Sequence, residues 1–353
     1  LYSHRIFSEA LLHIIHVNLA SGFRGGERQT VLLIQALAKS DKVSRQTLVC
    51  QPFSPLREEL SATHGVEFCN ASHQLAGHWQ AGKADVVHAH EAKAVHWAWL
   101  HSKLFLTPYI ITRRVDTPVK RKFSNKVFYR SASYCVAISS VIAREISTLI
   151  SSKIPIIPSA FTPVFPDHTV AKELRGRYRQ RFIVGHAGAL VDRHKGQRTL
   201  LEAARQLQTT RPEILFVFFG RGEDELVLHQ ESSDLDNVLW MGFKPNMGDY
   251  LPALDLFAFP SRNEGLGSVL LDVMNAKIPI IASDVGGIPD IVKHHTTGYL
   301  VPPSNAEKLI EGIEVLMGND LQRNMLADNA FAQLASYSPE TMADSYLKLY
   351  LSL

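Results

Sequence analysis

Glu264 and Asp272 bracket a loop with two glycines, in the run Ser261-Arg262-Asn263-Glu264-Gly265-Leu266-Gly267-Ser268-Val269-Leu270-Leu271-Asp272. A strand-like stretch, Asp255 to Pro260, leads into the loop, and a helix is expected to leave it. Gly265 and Gly267 let a ligand come close to the backbone. The first N–H groups of the helix lack partners within it and carry partial positive charge, which suits an anion. The two carboxylates can accept bonds from hydroxyl groups. An anion beside hydroxyls is the chemistry of a nucleotide sugar. The plainer reading is an ordinary strand-to-helix turn with surface acids. It weakens once residues 279–292 are added, a buried strand followed by the turn Gly286-Gly287 and a second helix start, with Tyr299 to Pro303 closing the pattern.

Other groups with chemical potential also fall at strand ends or helix starts. Gly25-Gly26-Glu27-Arg28 sits between the first strand and the first helix. It is not a dinucleotide fingerprint, because the G-x-G-x-x-G spacing is absent, and a tight turn remains the alternative. His88 and His90 lie two apart and so share one face of a strand. They read as a functional histidine with its neighbour, as core histidines, or as a metal pair; a metal needs third and fourth ligands at a suitable spacing, and none is evident. Arg113 and Arg114 end another strand and could hold an anionic acceptor, with Lys120, Arg121, Lys122, Lys126 and Arg130 following; a solvated basic face is the alternative. In Gly188 to Gly196, Lys195 beside a helix N-terminus suits a diphosphate, with Arg193 close in sequence; an exposed loop lysine is the bland reading. Asp234-Leu235-Asp236 imitates a metal-binding D-x-D but precedes a strand, and no metal is expected there or elsewhere.

Together these motifs resemble those of retaining glycosyltransferases of family 4, the glycosyl transferases group 1, which have the GT-B fold. The resemblance covers nearly the whole chain. Three departures stand out: Asp272 where the family has Glu, no residue between Gly26 and Glu27, and Ala189 where the family has an arginine six residues before the lysine. The resemblance implies a role for each matching position. Gly25 and Gly26 place amides beside the donor phosphate and Lys195 binds the diphosphate; Arg193 is a donor-binding candidate near the missing arginine but displaced from its position, and whether it replaces that arginine is left open. Glu264 contacts the donor sugar alongside the amides of Gly265, Leu266, Gly267 and Ser268. Asp272 binds ribose hydroxyls. Gly242 and Phe243 meet the nucleobase, largely through backbone. His90 belongs to the acceptor side, so the catalytic set is His90, Lys195 and Glu264.

Short apolar strands alternate with helices in both halves, which predicts parallel sheets covered on both faces. Expected strands lie near 11–19, 47–50, 85–90, 109–112 and 134–138, then near 182–188, 214–220, 238–241, 255–260 and 279–283. The first helix is expected from Glu27, after a turn at 22–26. Prolines between 158 and 166 mark a linker. The expected fold is therefore α/β, GT-B, with two Rossmann-like domains whose parallel sheets face an interdomain cleft. Residues 1–162 form an acceptor-binding domain and 163–335 a nucleotide-sugar-binding domain, with a helix in 336–353 crossing back to the first.

At 353 residues, 46% hydrophobic and 20% charged, the chain has ordinary globular composition and length for two domains. A net charge of +3 gives no case for nucleic acid. Its three cysteines have no ligand spacing and read as reduced and intracellular. Residues 11–17 are too short and polar for a signal or span and read as a buried strand. Leu1 stands where a Met would begin a chain, so the true N-terminus is left open. The expected activity moves a sugar from a nucleotide-diphosphate donor to a hydroxyl of a glycan or lipid-linked acceptor, in polysaccharide or lipopolysaccharide assembly. No cofactor is expected. The expected place is the cytoplasm, with peripheral contact at the inner face of the membrane through the basic cluster. The alternatives are a nucleotide-sugar 2-epimerase of the same fold and a non-catalytic sugar-nucleotide binding protein.

Overall fold

The computed structural model describes residues 11–119, 122–163 and 167–353. Lys120, Arg121 and the end of the expected linker, 164–166, lie outside the described residues. The described chain divides into two compact units, one up to Ala160 with Pro339–Leu353, the other Phe161–Ser338.

The first unit holds β1 (Leu12–Val17), β2 (Val43–Cys50), β3 (Val66–Asn70), β4 (Val86–Ala89), β5 (Tyr109–Arg113) and β6 (Tyr134–Ala137). They form one parallel sheet in the order β3-β2-β1-β4-β5-β6. β4 and β5 are buried at every position, as strands with helices on both faces must be. The second unit holds β7 (Phe182–Ala187), β8 (Ile214–Phe219), β9 (Val238–Gly242), β10 (Leu256–Phe259), β11 (Ile280–Ser283) and β12 (Tyr299–Val301). Its parallel order is β12-β11-β10-β7-β8-β9. Numbered from its own first strand, each unit has the order 3-2-1-4-5-6. The strand order reverses between β1 and β4 in one unit and between β7 and β10 in the other. In open parallel sheets such a reversal opens a crevice at the carboxyl ends, where ligands bind.

Two expectations are corrected. The first helix begins at Gly25 and runs to Leu37, so the glycine pair forms its first turn instead of preceding it. The cause is local: the Glu27 carboxylate accepts the Arg24 amide at 2.9 Å and closes the helix start two residues early. Strand β3 has no counterpart in the sequence reading. Its residues Val66-Glu67-Phe68-Cys69-Asn70 alternate in burial at an edge, a weaker apolar signal than a central strand.

The closing helix, Pro339–Tyr350, belongs to the first unit. Met342, Ala343, Tyr346, Leu347 and Tyr350 pack into one core with Ile14, Leu33, Val86 and Ile110. The amide of Phe161 donates to the carbonyl of Tyr337 at 2.9 Å, so the chain enters and leaves the second unit side by side. That bond also explains why the division falls after Ala160 and before Pro339, a few residues from the boundaries read in the sequence.

Tyr346 is 1% exposed, and its hydroxyl bonds the Thr112 hydroxyl at 2.8 Å. Tyr346→Ala should cost about 3–5 kcal/mol through the cavity and the lost contacts. Chemical denaturation would check it; a loss below about 1 kcal/mol would show that the helix adds little to the core.

Candidate active site

In the second unit the loops that follow β7, β10 and β11 meet backbone to backbone. Gly196 has φ +67°, and a Cβ there would stand 2.1 Å from the Pro260 carbonyl oxygen. Gly286 has φ +61°, and its Cβ would stand 2.0 Å from the Glu264 carbonyl oxygen. Neither the conformation nor the space admits another residue. The Gly287 amide donates to that same Glu264 carbonyl at 2.9 Å. On the other side, the His194 carbonyl accepts the amides of Arg262 at 2.8 Å and Asn263 at 3.2 Å. Asp192, with a side chain 4% exposed, pairs with Arg198 and with Arg262, each at 3.1 Å. The loop bearing Lys195 is thus bolted to the loop bearing Glu264.

The result is a direct ion pair, Lys195 Nζ to Glu264 Oε2 at 2.5 Å, with side chains 22% and 15% exposed. Lys195 also lies over the Phe259 ring, 5.3 Å from its centroid. Among the described residues, the amides of Gly265, Leu266, Gly267 and Ser268 have no acceptor within the chain. One cation, one carboxylate and a run of open amides lie together at the carboxyl ends of β7 and β10. Such an arrangement can bind an anion and a polar, hydroxyl-bearing group without further components.

The remaining expected site residues in this unit fall in different places. Asp272 lies in the helix Val269–Asn275, and its Oδ1 accepts the Thr162 amide at 2.7 Å. Arg193 is exposed and pairs with Glu223 at 3.1 Å. Gly242 ends β9, its carbonyl accepting the Gly220 amide at 3.0 Å, and Phe243 beyond it is 60% exposed. Asp234 binds Arg205 on the surface, which accounts for its charge without a metal.

In the first unit, His16 on β1 stands in register with His88 on β4, and His90 follows the end of β4. All three are at most 2% exposed, and one ring nitrogen from each lies within 4.8 Å of the others. The spacing rule finds His88 and His90; His16 is distant in sequence and joins them only through strand pairing. The donor set does not suit a dication. Each of the six ring nitrogens already has a protein partner. His16 bonds His90 and Gln46, both at 3.0 Å; His88 bonds Tyr350 and Thr112, both at 2.7 Å; His90 also meets Arg114 at 3.4 Å. The Arg114 guanidinium adds a positive charge beside the cluster. Burial lowers His16 to about 3 and holds His88 and His90 well below the usual histidine range, so all three rings are neutral near pH 7.

His88 is therefore a satisfied core histidine, whereas His90 sits at the strand end beside a cation. Arg113 is 9% exposed and bonds Tyr129 and the Thr117 carbonyl, so the solvated-face reading fails for it. It holds for Lys122, Lys126 and Arg130, which are exposed. Gly25 and Gly26 open the first helix, and a Cβ on Gly26 would lie 3.6 Å from Arg114.

Residues 171–333 match the family described as Glycosyl transferases group 1. That match lies within the second unit and spans under half of the chain. The fold is GT-B, and the relatives that the chain matches over most of its length are glycosyltransferases. The chain is 26% identical to the lipopolysaccharide core biosynthesis glycosyltransferase LpsE of Rhizobium meliloti, over 93% of this chain and 96% of that one. It is 30% identical to the alpha-D-kanosaminyltransferase of Streptomyces kanamyceticus over 50% of this chain, and spans about half the length of that relative, 48%. The structure of Anabaena Alr3699/HepE in complex with UDP and glucose superposes with a TM-score of 0.82 at 19% identity, over 97% of this chain and 100% of that one.

Two outcomes follow from this geometry. Gly286→Ala should disrupt the Glu264 loop, lowering both stability and activity, because the clash is with backbone and cannot be relieved by a rotamer; near wild-type melting and turnover would contradict it. The buried histidines set a pH dependence. Below 6.5 the unfolded chain takes up protons that folded His16, His88, His90 and His186 (lowered to about 4) refuse, so stability falls as pH drops. Each contributes a slope of up to about 1.4 kcal/mol per pH unit. The melting temperature should be level above about pH 7.5 and clearly lower at about 5.5; a flat profile would refute the neutral assignment.

Proposed function

We propose that this protein is a retaining transferase that moves a sugar from a nucleotide-diphosphate donor to a hydroxyl of a glycan or lipid-linked acceptor, in cell-surface polysaccharide or lipopolysaccharide assembly. The observation that carries the reading is the Lys195–Glu264 pair beside the open amides of residues 265–268. A diphosphate takes the cation and the amides, and the freed Glu264 carboxylate turns to the donor sugar. Asp272 serves ribose hydroxyls, and Gly242 and Phe243 border the base. UDP is the first nucleotide to try, since the Anabaena neighbour was solved with UDP. The relation to LpsE supports a glycan or lipid-linked acceptor.

Lys195 offsets the charge that builds on the leaving diphosphate, and the phosphate takes the proton of the acceptor hydroxyl as the new bond forms on the same face. His90, on the first unit, serves the acceptor. No metal is needed in this scheme, because lysine and backbone amides supply the positive potential. We further propose peripheral attachment to an anionic membrane through Lys122, Lys126 and Arg130, each contributing roughly 1 kcal/mol near such a surface. Phe123 beside them is 83% exposed. Among the described residues no helix is long and apolar enough to cross a membrane.

Sugar-nucleotide turnover, assayed across UDP, GDP and ADP donors with and without a glycan acceptor, tests the reading. Lys195→Ala should slow transfer on the order of ~10²-fold or more, and EDTA should change nothing. Glu264→Ala should nearly abolish turnover, Asp272→Ala should mainly weaken nucleotide binding, and His90→Ala should cut transfer at unchanged nucleotide affinity. An epimerised donor without acceptor, or binding without turnover, would replace the transferase reading. Activity lost to EDTA and restored by Mn²⁺ would overturn the metal-free scheme. Vesicle binding that is absent at both low and high salt would reject the membrane contact.

A further inference from the structure

The hydrogen bonds around His90 can be oriented one by one, starting from a residue that no motif singles out. Gln46, on β2 and 1% exposed, donates its side-chain Nε2 to the Ile34 carbonyl at 3.0 Å. A carbonyl can only accept, so the amide orientation is determined and Gln46 Oε1 faces His16 Nε2 at 3.0 Å. His16 Nε2 must carry the hydrogen. Burial keeps His16 neutral, so its Nδ1 bears a lone pair. That lone pair faces His90 Nε2 at 3.0 Å, which must then carry a hydrogen as well. His90 is also neutral, which leaves its Nδ1 as an acceptor. The partner there is Arg114 Nη2 at 3.4 Å, a group that can only donate. Every bond agrees with its neighbours, and the chain runs in one direction from a guanidinium to a helix carbonyl.

We propose that Gln46 is a positioning residue that, through His16, locks His90 in the Nε2–H tautomer and reserves His90 Nδ1 as a hydrogen-bond acceptor. The inference rests on the reading of His90 as an acceptor-side group. The Arg114 contact is long for a hydrogen bond, so the Nδ1 lone pair is held only weakly by the protein. It is the position at which an incoming hydroxyl can donate. With the opposite tautomer, His90 Nδ1–H would face a guanidinium, and an acceptor hydroxyl would meet a donor where it needs an acceptor. Nothing in this relay involves His88, whose two nitrogens are taken by Tyr350 and Thr112. His88 instead packs against His90, with ring centroids 3.9 Å apart and the ring planes tilted by 35°.

Ring ¹⁵N spectra of histidine-labelled protein, with His16 and His90 assigned by substitution, read the tautomers directly. At about pH 7.5 both rings should be neutral and Nε2–H. An Nδ1–H or imidazolium signal for His90 in the wild type overturns the proposal, whatever the variants do. Gln46→Leu removes the acceptor of His16 and should give mixed tautomers at both rings. It should lower kcat on the order of tenfold, the scale of one hydrogen-bond preference, while leaving donor KM unchanged. Turnover is followed with UDP-glucose, or with the sugar nucleotide selected in the donor assay. Unchanged tautomers in Gln46→Leu also overturn the proposal. If the tautomers shift but neither this variant nor His90→Ala alters transfer, the relay stands and it is the acceptor-side role of His90 that falls.

Discussion

Contact of backbone with backbone at the carboxyl ends of β7, β10 and β11 is the constraint on which the site depends. Side chains would hold these loops apart by the width of a methyl group or more. Gly196 and Gly286 remove that width, so peptide groups of one loop bond those of the next. The loops then have no independent freedom. Lys195 and Glu264, far apart in sequence, acquire a fixed separation because the chain beneath them is fixed. Asp192 strengthens the arrangement from behind by joining Arg198 and Arg262. A half-dry ion pair held in this way is costly to break without a replacement and simple to exchange for one. A charged ligand that supplies both partners anew meets a site that needs little reorganisation.

The two units place contrasting chemistry at the same point of one topology. Where the strand order reverses in the second unit, the side chains are charged and the amides open. At the corresponding reversal in the first unit, three neutral imidazoles pack together with every ring nitrogen hydrogen-bonded, His16 and His90 to each other and His88 to Tyr350 and Thr112, and Arg114 stands beside His90. The difference follows from burial. Charges cannot be carried into the first crevice without partners, so its histidines stay unprotonated and act by lone-pair direction. In the second, partly wet loops tolerate ions, and direction is set by backbone.

Much of this was legible in the sequence. Alternating apolar strands and helices gave both sheets except the edge strand β3, and type and spacing singled out Glu264 and Lys195, which the structure brings into contact. What escaped has physical reasons. His16 and Arg114 meet His90, and Gln46 meets His16, because parallel pairing sets their strands side by side, an arrangement that leaves no local spacing to read. Gly286 was noted as a turn, but its tie to Glu264 depends on how two loops stack. Asp192 looks like any loop acid until Arg198 and Arg262 surround it.

The return of the closing helix to the first unit has a consequence for the order in which the protein comes to be. Tyr350 reaches His88 across 262 residues of sequence. On a chain made from its N-terminus, β1 to β6 emerge long before the side chains that complete their core. The second unit, Phe161–Ser338, is continuous and can close as soon as it has been made. The first must wait with an apolar face uncovered until residue 350 exists, a period in which that face is open to chaperones and to aggregation. Once the second unit has folded, the bond from Phe161 to Tyr337 brings the two ends of the inserted segment together. The loop that the last helix has to close is then far shorter than its sequence separation, so the folded insertion lowers the entropic cost of finishing its host.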